Sequence, residues 1–245
     1  MVIEVIGLSF TISTVLDSIY DNFSDQITTL DQPWLADRFQ EFADAIHIKG
    51  APLQNCIGFI DGTVRPLCRP SYFQRICYNG HKRMHAIKFQ SIVTPDGIIA
   101  NLFEPVEGRR HDCFLLNVSG VLEEMERVQW QDRNQNPFCL YGDPGYPLRD
   151  CLIQPYRNVA GLDQYQQQFN TAMSSVRETV EWQFGKLVGQ FAFLDFKKNL
   201  KFFLQPLGKL YLMGGILINC HTCLYGSQTS QYFEVDPPEL EVYLQ

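Results

Sequence analysis

The chain is short of positive charge. Its 245 residues carry 20 Lys and Arg against 27 Asp and Glu, a formal net charge of −7. Duplex binding is mostly phosphate neutralisation, so this balance argues against coating nucleic acid through bulk charge. Any such contact requires a clustered basic patch or a basic partner. Several signatures are also missing. There is no phosphate loop, no dinucleotide fingerprint and no Gly-x-Ser-x-Gly elbow. There is no internal repeat and no low-complexity block. The start, Met1-Val2-Ile3-Glu4, lacks the basic residues of a secretory signal. The apolar stretch Leu210 to Leu224 holds Asn219 and His221 and is too short for a membrane span, so it reads as a buried helix. Cys220-His221-Thr222-Cys223 has no second ligand pair, and His81, His85 and His111 match no zinc spacing.

What is present is a globular chain. Hydrophobic residues make up 45% of it, enough for a real core. The eight cysteines lie mostly in apolar segments and read as free thiols in a reducing compartment. Residues 1–54 read as an amphipathic helical segment closed by Gly50-Ala51-Pro52. Cys56 to Ile60 reads as a short buried strand ending at Asp61. Residues 84–94 and Ile98 to Val106 read as two more strands joined by the turn Thr94-Pro95-Asp96-Gly97. A helix over 111–127, a strand from Phe138 to Tyr141, a long helix from Leu162 to Gln190 and an apolar helical region over 200–224 follow. The order is a three-strand antiparallel meander, a helix, a further strand, then helices. It predicts an α/β, ribonuclease H-like mixed sheet flanked by helices over residues 55–225, with an acidic, loose tail over 226–245.

Three acids stand out. Asp61 lies in Gly58-Phe59-Ile60-Asp61-Gly62-Thr63, Asp143 in Leu140-Tyr141-Gly142-Asp143-Pro144-Gly145-Tyr146-Pro147, and Glu181 in the long helix. Each has an ordinary reading: a hairpin tip for Asp61-Gly62, a solvated loop for Asp143, and an exposed Arg177–Glu181 ion pair at i,i+4. Glu178 is a competing acid a quarter-turn away. Together, carboxylates from three remote segments would repel one another unless a hard cation neutralised them, which is the requirement of a divalent-metal phosphoryl-transfer site. Asp112, in Gly108-Arg109-Arg110-His111-Asp112, reads first as a helix N-cap and second as a neighbour of the metals. Cations at Arg65, Arg69, Arg75, Lys82, Arg83 and Lys88, interleaved with Tyr72, Phe73 and Tyr78, suit phosphate contact and base stacking as well as a solvated loop. Lys197, Lys198 and Lys201 read as a solvated helix start.

These pieces, with Arg110-His111-Asp112, Pro155-Tyr156-Arg157 and Arg177-x-x-x-Glu181-x-x-Phe184-Gly185-x-Leu187, stand in the order found in PIF/Harbinger-type DDE transposases, the DDE superfamily endonuclease group. The chain resembles that family over roughly residues 55–220. The resemblance implies a metal-dependent DNA endonuclease whose triad is Asp61, Asp143 and Glu181. It implies two divalent cations, Mg²⁺ or Mn²⁺, about 3.5–4 Å apart, activating the nucleophile and stabilising the leaving oxygen. Arg177, Asp112 and His111 would support the site. Arg75, Lys82, Arg83, Lys88, Arg109 and Arg110 would meet DNA. The family also implies nuclear, and alternatively cytoplasmic, location, a homo-oligomer, no membrane, and dependence on a separate Myb-like DNA-binding protein. Its members carry a helix-turn-helix region ahead of the catalytic domain, which residues 1–54 are too few to supply, so that segment reads as a truncated remnant. The alternative is a domesticated relative, catalytically silent, serving as a DNA-associated or protein-binding scaffold.

Overall fold

The computed structural model describes residues 2–128, 130–158, 161–194, 200, 201 and 206–245. Four helices come first: α1 (Val2–Phe23), α2 (Asp25–Thr28), α3 (Pro33–Ala36) and α4 (Phe39–Ile48). Strand β1 runs from Cys56 to Pro66, and β3 (Met84–Val93) and β4 (Ile99–Glu107) pair antiparallel after it. Between β1 and β3 lie α5 (Gln74–Cys77) and the two-residue β2 (Tyr78–Asn79), which pairs with Met84 and His85. Helices α6 (Asp112–Ser119) and α7 (Val121–Val128) lead to β5 (Cys139–Tyr141) and β6 (Leu152–Ile153). Then come α8 (Gln164–Gln190), α9 (Leu207–Tyr225), α10 (Gln228–Phe233) and α11 (Leu240–Tyr243).

The spatial order is β4-β3-β1-β5-β6, with β2 attached to the start of β3. The first three strands are antiparallel, and β5 and β6 run parallel to β1. This is the expected ribonuclease H-like mixed sheet. Its faces are packed by different helices. Strand partners point to the same face, and neighbours along a strand to opposite faces. Asp61 faces Ser91 and Thr63 faces Phe89, so these share one side, where Phe89 stacks on Tyr211 of α9 at 3.9 Å between ring centroids. Gly62 faces Gln90 and Val64 faces Lys88 on the other side, where Gln90 hydrogen-bonds Ser119 of α6.

Several expectations need correction. The meander's first strand does not stop at Asp61 but continues to Pro66, so Asp61-Gly62 is not a hairpin tip. The helix expected over 111–127 is two helices, divided at Gly120, whose φ of 71° favours glycine. The segment from Ser227 is not loose. It opens α10 with a reciprocal Ser227/Ser230 cap, and Phe233, Val235 and Tyr243 are buried. The hairpin turn forms as read, with Gly97 N–H donating to the Thr94 carbonyl and φ of 80° at Gly97. The long helix begins at Asp163, which caps it in a capping box with Gln166. Lys197 and Lys198 lie outside the described residues.

One apolar cluster unites the helices before the sheet, the sheet itself, α8, α9 and the segment after α9. All eight cysteines are free, and Cys56, Cys77, Cys139 and Cys151 are buried. Among the described residues no helix is long and apolar enough to cross a membrane.

Candidate active site

Asp61 and Asp143 meet because of strand register. Strands β1 and β5 are adjacent and parallel, with Phe59 opposite Tyr141. Two residues further on, one side-chain period, lie Asp61 and Asp143. Both therefore project beside the carboxyl end of β5, where open α/β sheets place ligands. The Gly-Asp-Pro-Gly-Tyr-Pro run makes a tight turn there. Gly145 N–H donates to Asp143 Oδ1 at 2.8 Å, and Tyr146 N–H donates to the Asp143 carbonyl at 3.2 Å. Cys113 and Arg157 brace the turn through the Gly145 and Pro144 carbonyls. The Pro-Tyr-Arg segment thus serves to hold the Asp143 turn.

The carboxyl of Asp61 is half-buried and driven up to about 6, from the usual 3.8. Burial is the main cause, Arg177 opposes it, and the nearby Asp143 carboxylate adds to it. The ion pair from Arg177 Nη2 to Asp61 Oδ1, at 2.7 Å, does not overcome the other two. Arg177 is thus spent on Asp61 rather than on Glu181, which corrects the expected i,i+4 pair.

Asp112 joins this pair from the opposite face of the sheet. It is the first residue of α6, not its cap; His111 occupies the cap position and makes no side-chain capping bond. Asp112 Oδ1 instead accepts from Lys88 Nζ at 2.9 Å. Lys88 is buried in the middle of β3, so it does not belong with the exposed basic residues expected to meet DNA. Glycines make the approach possible. A Cβ at Gly62 would stand 2.6 Å from Asp112 Oδ1, and one at Gly145 would stand 2.9 Å from Asp143 Oδ1 and 3.2 Å from Asp112 Oδ2.

At the centre is Tyr146, a residue to which sequence reasoning assigned no role. It is fully buried, and its hydroxyl has no hydrogen-bond partner among the described residues, as is true of Arg177 Nε. Burial and then the carboxylates of Asp112, Asp61 and Asp143 push its phenol well above the usual value. That one hydroxyl feels all three acids is the clearest sign that they share a site. For Lys88 the only sequence signal was a lone Lys between the apolar Ile87 and Phe89 of a strand.

Glu181 is not gathered in. It is exposed on α8, one turn beyond Arg177, and Glu178 is exposed as well. Among the described residues no group of three or more His, Cys, Asp and Glu side chains is placed to hold a metal ion. That applies equally to the Cys220–Cys223 pair and to the three histidines. Arg75, Lys82, Arg83, Arg109, Arg110 and His111 are all exposed. Arg110 is partly committed, pairing with Glu107 at 3.1 Å and lying over the Phe114 ring.

Neither a curated protein nor a solved structure matches the chain. The family model described as DDE superfamily endonuclease matches residues 60–219, more than half of the chain. That span begins just before Asp61 and includes every residue of the site. By this match the chain belongs to the DDE superfamily endonucleases.

Proposed function

We propose that the chain is a divalent-cation-dependent DNA endonuclease of the transposase kind, with Asp61, Asp143 and Glu181 as its acids. The observation that carries this is the placement of Asp61, on β1, beside Asp143, in the turn that ends the parallel strand β5, with the Asp61 carboxyl raised to about 6. A carboxyl whose ionisation is opposed first by burial and then by a neighbouring carboxylate has a use once a cation lies beside it. The donor set fits a hard ion: oxygen ligands, two glycines that leave room between the acids, and a buried hydroxyl without a partner.

Asp61 and Asp143 would hold Mg²⁺ or Mn²⁺, with Glu181 completing the set from α8. When bound, such cations supply Lewis-acid polarisation of the phosphoryl group and a nucleophile at neutral pH. The chain's own residues do the rest. Arg177 fixes the Asp61 carboxylate, and Lys88 fixes Asp112. Tyr146 offers a neutral hydroxyl to the same space. Glu181 lies on the α8 face that carries Arg177, since residues four apart share a face. It makes no ion pair among the described residues, so its carboxylate is available to a cation there.

The test is strand cleavage with Mg²⁺. Replacing Asp143 with Asn is expected to abolish it with the unfolding midpoint retained, and undiminished cleavage by that variant would refute the assignment. One observation favours the silent-scaffold alternative: Arg177 already neutralises part of the Asp61 charge without a cation. On that alternative the wild type itself neither cuts nor binds Mn²⁺.

A further inference from the structure

The segment between β1 and β3 builds a basic cavity that the acidic site does not use. Its volume is about 620 Å³, and its walls include Arg69, Arg75, Arg109, Tyr78 and His85. Among the described residues no acidic side chain lines it. Arg69 donates to Gln74, and none of the three arginines has a carboxylate partner among the described residues. Arg38, Arg110, Arg127, Arg133 and Arg177, by contrast, all pair with acids. Three guanidinium groups around one cavity, in a protein with acids in excess, are a local concentration of charge that suits an anion with several oxygens.

The cavity has a braced wall. Arg109 N–H donates to the Ile76 carbonyl at 3.2 Å, and Asn79 Nδ2 donates to the Gly108 carbonyl at 2.8 Å. A Cβ at Gly108 would stand 2.9 Å from the Cys77 carbonyl oxygen, so only glycine lets the two segments close. Arg109 also lines a second cavity, of about 590 Å³, with Arg110, His111 and Phe114. The next residue is Asp112, which stands beside Asp143. Basic cavities and acidic site are thus joined through four consecutive residues, Arg109 to Asp112. Aromatic rings lie exposed alongside: Tyr78 on the cavity wall, and Tyr72 and Phe73 just before α5.

We propose that this cavity binds unpaired DNA flanking the cleaved bond, with the arginines on phosphates and Tyr78 stacked on a base. Backbone charge plus an aromatic platform is the requirement for a single strand, whereas a duplex hides its base faces. The proposal rests on the endonuclease reading for the DNA, but its test is a binding measurement made without divalent cation.

The probes are a fluorescent blunt duplex and the same duplex with about ten unpaired nucleotides at one end. The wild type is expected to bind the overhang probe about tenfold more tightly, and R75A/R109A to lose that preference and about two units of salt slope. Tyr78→Ala, which keeps every charge, is expected to weaken overhang binding about tenfold. Equal affinity of the wild type for both probes, or preference intact in R75A/R109A, would overturn the proposal. Cleavage of blunt duplex that still depends on Asp143 would then leave the endonuclease reading standing. Overhang binding with no Asp143-dependent cleavage would do the reverse.

Discussion

Asp61 sets the electrostatics of the whole site. Its folded value, about 6, lies above the ordinary 3.8. A raised acid contributes its stability below the ordinary value and loses it as pH rises through the folded one. The metal-free protein therefore gives up on the order of 3 kcal/mol between pH 4 and 7 at this residue. Asp61→Asn is expected to gain in unfolding midpoint over the wild type as pH rises from 4 to 7.5. An offset constant with pH would mean that Asp61 ionises normally. Little of this was legible residue by residue. Asp61 looks like a turn, Asp112 like a cap and Lys88 like a surface cation, because each local pattern is ordinary. Their meeting depends on strand register and on glycines at 62 and 145, both long-range properties.

At the scale of elements, the sequence was a better guide. The meander, its turn, the long helix and the apolar helix all lie close to where period and turn chemistry place them. The missing pieces had weak signals. Strand β6 is two residues long, and the α10 cap uses Ser at its third position rather than Glu. Asn219 shows how a polar residue in an apolar helix can be structural. Its amide accepts from Ile99 N–H at 2.9 Å and donates to the Ile99 carbonyl at 2.9 Å, and it also donates to the Tyr243 hydroxyl. It pairs α9 to β4 much as another strand would. Asn219→Leu leaves both Ile99 groups buried and unpaired, an expected loss of about 3 kcal/mol in denaturant unfolding. A loss below ~0.5 kcal/mol would show that β4 does not need this bond.

The whole molecule behaves as one cooperative body on this account. Phe39, Phe42 and Ile46 of α4 share a core cluster with the sheet, and Phe233 and Val235 join it from beyond α9. Arg38 ties the ends together, donating to Asp96 at the β3–β4 turn and to the Asp236 carbonyl. Deleting residues 227–245 is therefore expected to lower the unfolding midpoint and broaden the transition. An unchanged, equally sharp transition would make that segment an appendage. The acid excess read from composition keeps its meaning at this scale: on the proposed function, DNA contact would fall to local basic surfaces such as the cavity walled by Arg69, Arg75 and Arg109.

The most direct measurement is calorimetric titration of the metal-free protein with Mn²⁺ near pH 6, in two buffers of different ionisation enthalpy. Saturable binding is expected, with release of about half a proton to the buffer as the cation displaces it from the Asp61 carboxyl, and loss of both signals in Asp143→Asn. Binding that is absent in the wild type, or unchanged in Asp143→Asn, would contradict it.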